Sequence, residues 1–382
     1  MLIYQRKFKI MKKFFRALPF LFLIFIGCGD KKSKLLQASS QSQAQIVKNS
    51  KTHHIFIFIH GTIIPYPSPV SLFDSIKNTL KSGRREKISW EERFIYELRF
   101  KSIYKYQPIQ EYGFHLINFA PVEPNSPYYY SFVTATLFQN VLNNINSEIF
   151  SDSSFYTFGW DGWLSNQSRI DNAKILYQSL FDEVKKLKSR YENVNITILA
   201  HSHGGNVALN MVNAYNKLKS DLLIDKLILI GTPVQSETSK FILSPMFKKI
   251  YSFYSDSDIV QIIDVLSTQD SASKRRFNNI TPLQNMIQIE LMVGKKCPAH
   301  NELWLFGDKS NWLYRHKLET YPLPIFMFIP TILNFIENNL AGSRDLCVAI
   351  DKKDEQFTIL FKDKDRKDVH KNTFLPSGLL VY

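Results

Sequence analysis

Short apolar runs separated by amphipathic stretches make up most of this chain, and they are the first indication of its fold. Six runs are rich in β-branched and aromatic residues, which is typical of strands buried on both faces. They predict strands over 54–60, 154–160, 194–200, 226–231, 250–254 and 287–293.

Apolar residues spaced three and four apart predict helices between and beside these strands. The clearest helix is predicted over 169–191, and others over 133–145, 205–217 and within 325–340. Strands separated by helices indicate an α/β fold with a doubly wound, mainly parallel sheet that has helices on both faces.

Two regions do not follow this alternation. Residues 63–152 are too many for a simple connection, and we interpret them as a large insertion after the first core strand that forms a cap or lid over the site. Residues 343–382 are of mixed charge with one short apolar stretch, 357–361, and form a C-terminal extension to which the pattern assigns no role. The main α/β domain is therefore predicted over 52–342.

The first 27 residues have the pattern of an export signal: six basic residues and no acidic one, then an apolar run over 17–26. The segment Phe25-Ile26-Gly27-Cys28 resembles the lipobox of bacterial lipoproteins, with Phe25 where leucine is usual. The resemblance implies a lipidated Cys28 and a lipid-anchored protein of the bacterial cell envelope, outside the cytoplasm, on the outer membrane or the periplasmic side. A plain cleaved signal or a single anchor helix is the alternative.

Composition and charge narrow the classes of partner. Residues 28–51, rich in serine, glutamine and lysine, predict a flexible tether behind the lipidated cysteine. Loss of the six basic residues of the signal lowers the net charge from +14 to +8, which favours anionic lipid head groups. Nucleic-acid binding is not expected, because the basic residues are dispersed apart from Lys81–Arg85 and no recognition motif is present. Three cysteines exclude a disulfide scaffold and a cysteine-rich zinc module.

The clearest chemical motif is Ala200-His201-Ser202-His203-Gly204, which ends one predicted strand and begins a helix. A serine in such a sharp turn projects its hydroxyl above the strand ends, and small residues two positions before and after it relieve the crowding. The turn aims the helix N-terminus and the His203 amide at a developing oxyanion, so His203 is a predicted oxyanion donor. The side chains of His201 and His203 are expected to point away from the serine. An ordinary strand–helix loop that happens to contain serine is the alternative.

A second turn, His60-Gly61-Thr62, follows the first predicted strand. Glycine lets the backbone approach a reacting carbon closely, and the Thr62 amide is the predicted second oxyanion donor. The His60 side chain is expected only to pack and hydrogen-bond at the strand end.

A serine nucleophile needs a base, and the base needs an orienting carboxylate. The loop after the strand 250–254 offers Asp256 and Asp258. Asp258 is the first choice, because the following Ile259-Val260 are expected to return into the core, and Asp256 is kept in reserve. The one not used would be a turn or helix-cap aspartate.

The predicted base is His300, in the loop after the last predicted strand; His316 and His370 are weaker candidates. A metal site formed by His201, His203 and His300 has little support, because no carboxylate or third ligand has metal-site spacing. The chain order Ser202, Asp258, His300 resembles that of the α/β-hydrolase superfamily.

The resemblance covers roughly residues 52–340 apart from the insertion, and within the superfamily it is to lipases and esterases. It implies hydrolysis of an ester, thioester or amide through an acyl-enzyme, without cofactor or metal, and the likeness to lipases and esterases favours carboxylic esters. The predicted membrane anchor suggests lipid substrates. The aromatic segment 158–163 and Arg169 either line the mouth of the site or pack around a tight turn. An acyltransferase with the same triad and a non-catalytic envelope binding lipoprotein are the rival functions.

Overall fold

A ten-stranded sheet runs through the part of the chain that the computed structural model describes. That part comprises residues 49–62, 105–263, 268, 272–278, 285–307, 318–340, 342, 344–353, 356–362 and 368–374. The predicted signal peptide, Cys28, most of the tether, the basic run 81–85 and His316 lie outside the described residues.

The strands are β1 (Asn49–Ile59), β2 (Gly113–Leu116), β3 (Ser153–Gly159), β4 (Tyr191–His201), β5 (Ile224–Ile230), β6 (Phe247–Tyr254), β7 (Met286–Val293), β8 (Asp345–Lys353), β9 (Gln356–Lys362) and β10 (Asp368–Phe374). Their spatial order is β10-β9-β8-β7-β6-β5-β4-β1-β3-β2. Strands from β3 to β8 pair in parallel, whereas β2 at one edge and β9 and β10 at the other pair antiparallel with their neighbours. The predicted mainly parallel α/β architecture is confirmed.

The helices of the described residues are α1 (Tyr129–Phe150), α2 (Asn166–Lys188), α3 (His203–Leu218), α4 (Ser236–Ser239), α5 (Val260–Ile263) and α6 (Ile329–Asn339). Three 3₁₀ turns accompany them, at Lys240–Leu243, His300–Leu303 and Ile325–Phe328. Among the described helices, none is both long enough and apolar enough to cross a bilayer.

Strand β1 explains why the central strands have uninterrupted apolar sequences. Its isoleucines at 55, 57 and 59 belong to one core, which contains the buried faces of α2 and α3. Its phenylalanines at 56 and 58 belong to a second core on the opposite face, with residues of α1 and α6. Because successive side chains of a strand point to opposite faces, a strand covered on both sides needs apolar residues at every position.

The described half of the predicted insertion does not form a cap. Strand β2 pairs with β3 at the sheet edge, and α1 covers a face of the sheet, where the Phe138 ring lies 5.7 Å from that of Phe56 and 5.4 Å from that of Phe58. Residues 105–152 therefore belong to the α/β layers. The prediction of a cap now concerns only residues 63–104, which lie outside the described residues.

The predicted C-terminal extension likewise belongs to the sheet. Strand β8 pairs in parallel with β7, and β9 and β10 continue the sheet beyond it. The boundary predicted at residue 342 therefore falls inside a continuous sheet. These strands were not predicted because the apolar stretches of β8 and β9 are short and flanked by charged residues, and β10 is mostly polar.

Candidate active site

Ser202 lies in a strained turn between β4 and α3. Its backbone has φ 53° and ψ −131°, and Lys219 is the only other described non-glycine residue with positive φ. Such a conformation costs on the order of 1–3 kcal/mol and persists only where the surroundings enforce it. Here the Ser202 amide donates to the carbonyl of Ile230 at 2.9 Å, which fixes the turn to the end of β5.

Two glycines let α3 begin very close to the neighbouring strands. A methyl group on Gly204 would lie 2.4 Å from the carbonyl oxygen of His60, and one on Gly205 would lie 2.1 Å from Thr232 Oγ1. Any side chain at these positions would force the helix away from the sheet. The expectation of small residues after the serine therefore has a direct steric cause.

The turn His60-Gly61-Thr62 lies beside the serine. A methyl group on Gly61 would lie 2.7 Å from Ser202 Cβ and 3.3 Å from Ser202 Oγ. Thr62 follows this contact, and its buried hydroxyl oxygen has no hydrogen-bond partner among the described residues. His203 is the first residue of α3. Both predicted oxyanion donors are thus sequence neighbours of the Gly61–Ser202 contact.

The His60 side chain holds this turn to the end of β3. The Trp160 amide donates to His60 Nε2 at 3.0 Å, and the Trp160 indole donates to the His60 carbonyl at 2.8 Å. Since Nε2 accepts, the proton is on Nδ1, which donates to the Gly61 carbonyl at 2.7 Å. Trp160 and Arg169 are both fully buried, and Arg169 Nη2 donates to Gln235 Oε1 at 3.1 Å. These two residues of the predicted mouth therefore have packing roles.

The predicted base and the first-choice acid are hydrogen-bonded. His300 Nδ1 lies 2.7 Å from Asp258 Oδ2, and Asp258 Oδ1 accepts from the Gln261 amide at 3.2 Å. The Asp258 side chain is fully buried, whereas Asp256 is exposed. His370 lies on β10, at the outer edge of the sheet.

Gly231 connects this pair to the serine turn. It follows Ile230, the residue that accepts the Ser202 amide, and has φ 58°. A methyl group on Gly231 would lie 3.1 Å from Asp258 Oδ2 and 3.3 Å from His300 Nδ1. The serine, the aspartate and the histidine thus lie together at the carboxyl ends of β4, β5, β6 and β7.

The reason for which Asp258 was chosen is wrong. Ile259 is 61% exposed and Val260 37% exposed, so the chain does not return to the core after the aspartate. It enters α5, and Asp258 is buried because its carboxylate is bound by His300 and by the start of that helix. Arg275 Nε also donates to the Asp258 carbonyl, at 3.1 Å.

Two buried side chains hold the loop that carries His300, and the sequence analysis missed both. Ser255 Oγ donates to the Pro298 carbonyl at 2.6 Å, which ties the His300 loop to the Asp258 loop. Glu302 Oε2 accepts from the Ala299 amide at 2.7 Å, which closes the 3₁₀ turn that begins at His300. The Ser255–Pro298 contact has no local sequence signature, because it depends on how the ends of β6 and β7 meet. The Glu302 contact is local, since a glutamate at the third position of a helical turn commonly accepts from the amide of the preceding cap residue.

The two histidines beside the serine differ. His203 follows the prediction in lying along its own helix, where its Nδ1 accepts from Asn206 Nδ2 at 3.3 Å. His201 does not point away from the site, because its ring centroid lies 4.5 Å from that of His300. Burial, followed by the neighbouring His300, holds the pKa of His201 well below its ordinary value.

The arrangement has the parts of a nucleophilic site. The contacts of the described residues include no hydrogen bond between Ser202 and His300; hydrogen bonds of this kind often tighten only when substrate binds. No group of three or more histidine, cysteine, aspartate or glutamate residues among those described could hold a metal ion.

Comparisons with family profiles, with curated proteins and with solved structures found nothing that matches this chain. Its function is therefore inferred from its own sequence and from the geometry of this site.

Proposed function

We propose that this chain is a serine hydrolase of carboxylic esters, similar to lipases and esterases, that works through a Ser202–His300–Asp258 triad. The observation that carries the proposal is the 2.7 Å His300–Asp258 hydrogen bond beside a serine held at positive φ between a strand and a helix. A buried serine in a strained turn is costly, and such strain is concentrated at functional sites.

The order of the strands supports the same proposal. The serine turn follows β4, the proposed oxyanion turn follows the adjacent β1, and the acid and base loops follow β6 and β7. These strands are parallel, so all four loops follow the carboxyl ends of the strands, which is where ligands bind in open α/β sheets. The arrangement resembles that of the α/β-hydrolases.

In the proposed reaction His300 Nε2 removes the proton from Ser202 Oγ as that oxygen attacks the ester carbonyl carbon. Asp258 keeps the proton of His300 on Nδ1 and stabilises the imidazolium that forms. Collapse of the tetrahedral intermediate breaks the carbon–oxygen bond, and His300 protonates the departing alcohol. His300 then removes a proton from water as the water oxygen attacks the acyl-enzyme carbonyl carbon. Breakdown of this second intermediate breaks the bond to Ser202 Oγ, His300 returns the proton to that oxygen, and the acid is released.

The negative charge on the carbonyl oxygen needs donors that are already in position. The backbone amides of Thr62 and His203 would supply them, and the N-terminus of α3 adds a favourable dipole. Loss of one such donor typically costs about 3 kcal/mol of transition-state stabilisation.

Reaction with a fluorophosphonate probe tests the triad directly. We expect the probe to label the wild-type chain at Ser202 and to leave Ser202→Ala unlabelled. Ser154→Ala is a suitable control, because Ser154 also lies beside a histidine. A wild-type chain that is not labelled would contradict the proposal and favour a non-catalytic binding lipoprotein.

The proposed substrates are esters of lipids, and the proposed location is the bacterial cell envelope, with the chain anchored through a lipidated Cys28. The basic charge of the mature chain and the lipobox-like segment support both. Incorporation of a fatty-acid analogue that is lost in Cys28→Ala would test the anchor. Hydrolysis of short soluble esters without hydrolysis of micellar or bilayer lipids would contradict the lipid substrate.

Transfer of the acyl group to an alcohol instead of water is chemically open to the same triad. Product analysis with an added acceptor alcohol separates the two reactions, because a transferase forms a new ester where a hydrolase forms the free acid.

A further inference from the structure

We propose that His201 is a positioning residue that holds the His300 imidazole in its hydrogen bond with Asp258. This role rests on the proposed function, since it concerns the base of the proposed triad. The observation behind it is the direct contact of the two rings, whose centroids are 4.5 Å apart with an interplanar angle of 38°.

A hydrogen bond fixes the His201 ring to the base loop. His201 Nε2 lies 3.3 Å from the carbonyl oxygen of His300. A carbonyl oxygen can only accept, so the proton of the neutral ring is on Nε2. One side chain thus contacts both the backbone and the imidazole of His300, while its own backbone precedes the nucleophile.

The opposite edge of the ring faces the oxyanion turn. A methyl group on Gly61 would lie 3.1 Å from His201 Nδ1 as well as 2.7 Å from Ser202 Cβ. His201 therefore lies between the loop of the proposed base and the turn of the proposed oxyanion donor. A shift of this ring would alter the spacing of both.

Trp304 prevents such a shift. Its ring stacks on His201 at 5.4 Å with an interplanar angle of 4°, and its side chain is fully buried. Trp304 Nε1 donates to Oε1 of the buried Gln107 at 3.1 Å. The His201 ring is thus held by an indole that is itself hydrogen-bonded, and the His201 ring in turn restricts the movement of the His300 ring.

A neutral His201 ring avoids charge repulsion with the proposed base. During the proposed reaction His300 becomes an imidazolium, and a second cation 4.5 Å away would oppose that charge. Because His201 is buried and stays neutral, it can support the ring of His300 without repelling the proton that His300 gains.

The test compares His201→Ala with His201→Phe, which keeps a flat ring but loses the donor. We expect His201→Ala to lower kcat about 10²-fold with KM nearly unchanged, because small misplacements of catalytic groups cost that much. His201→Phe should recover part of the loss. His53→Ala is the matched control, because His53 is also buried, ring-stacked and hydrogen-bonded, but lies in the amino-terminal half of β1, away from the turn that follows this strand.

A proton NMR measurement keeps this test separate from that of the proposed function. The Nδ1 proton shared by His300 and Asp258 should give a downfield resonance that weakens or shifts in His201→Ala and not in His53→Ala. An unchanged resonance and kcat in His201→Ala, or equal changes in the control, would overturn the inference. Absence of fluorophosphonate labelling in the wild-type chain would instead overturn the proposed function, while the resonance would still report whether His201 positions His300.

Discussion

The sheet carries two groups of serine, histidine and aspartate, one at each end of its parallel strands. At the carboxyl end are Ser202, His300 and Asp258. At the amino end, His53 Nδ1 lies 2.9 Å from Asp152 Oδ1, and His53 Nε2 lies 3.0 Å from Ser154 Oγ. The amino-end group has the more complete set of hydrogen bonds, because its histidine is hydrogen-bonded to both the aspartate and the serine.

The two groups differ in the backbone conformation around their serines. Ser154 lies within the regular strand β3, in parallel register with Ile55 of β1, and no helix begins there. Ser202 lies at positive φ at the start of a 16-residue helix, next to a glycine turn. A nucleophile needs backbone amides aimed at the oxyanion, so the strained turn and the helix start identify it better than a complete set of hydrogen bonds.

The sharpest test of this comparison is removal of each serine in turn. Ser202→Ala should lower kcat for ester hydrolysis by on the order of 10⁵–10⁶-fold, because no other group can form the acyl-enzyme. Ser154→Ala should leave kcat within about twofold, because Ser154 lies at the opposite end of the strands from Ser202 and substitutions at distant sites act independently. Steady-state kinetics on a soluble ester would measure both. Loss of activity in Ser154→Ala alone would reverse the assignment.

The two aspartates should differ almost as much. Asp258→Asn should lower kcat by on the order of 10³–10⁴-fold, because an amide no longer stabilises the imidazolium or selects its tautomer. Asp152→Asn should change thermal stability and not kcat. Circular dichroism melts together with kinetics would separate the two effects, and a large fall in kcat for Asp152→Asn would count against the comparison.

Close backbone approach supports the group at the carboxyl end. Gly204→Ala should lower the free energy of unfolding by about 1–3 kcal/mol, because its methyl group meets the His60 carbonyl oxygen at 2.4 Å. It should also lower activity, since it pushes the helix and the serine away from β1. Urea denaturation would give the stability change. A variant as stable and as active as the wild type would show that this close packing is not required.

The smallest expected effect is a pH dependence at the amino end. Burial, with a smaller contribution from His53, lowers the pKa of His54 to about 4. Between about pH 6.5 and 4 the unfolded chain binds a proton there that the folded chain does not, so stability falls as the pH falls through this range. His54→Gln should make melting temperature less dependent on pH in this range. An equal slope in the variant would exclude a contribution from His54.

The central strands could be predicted because both faces of the sheet are buried, which requires continuous apolar runs such as that of β1. The edge strands could not. Strand β2 has only four residues, with Leu116 58% exposed, and β10 at the other edge is mostly polar in sequence. An edge strand needs fewer apolar positions, so its sequence resembles a loop.

The candidate triad was found from the order of motifs along the chain, while its supports were not. The orientation of the His201 ring could not be predicted from sequence, because it depends on packing against Trp304 and on the hydrogen bond to the His300 carbonyl. The group at the amino end was also missed, because His53 and Ser154 are 101 positions apart and meet only through the register of β1 with β3.

The pairing of β8 with β7 has a consequence for how the chain is made. The loop of His300 leaves β7, and the far edge of β7 is covered only by a strand that begins at Asp345. During synthesis the serine turn emerges long before this covering strand. A premature stop codon near residue 342 would leave an apolar strand edge open to other chains, so insoluble protein is the outcome to expect rather than a smaller working enzyme.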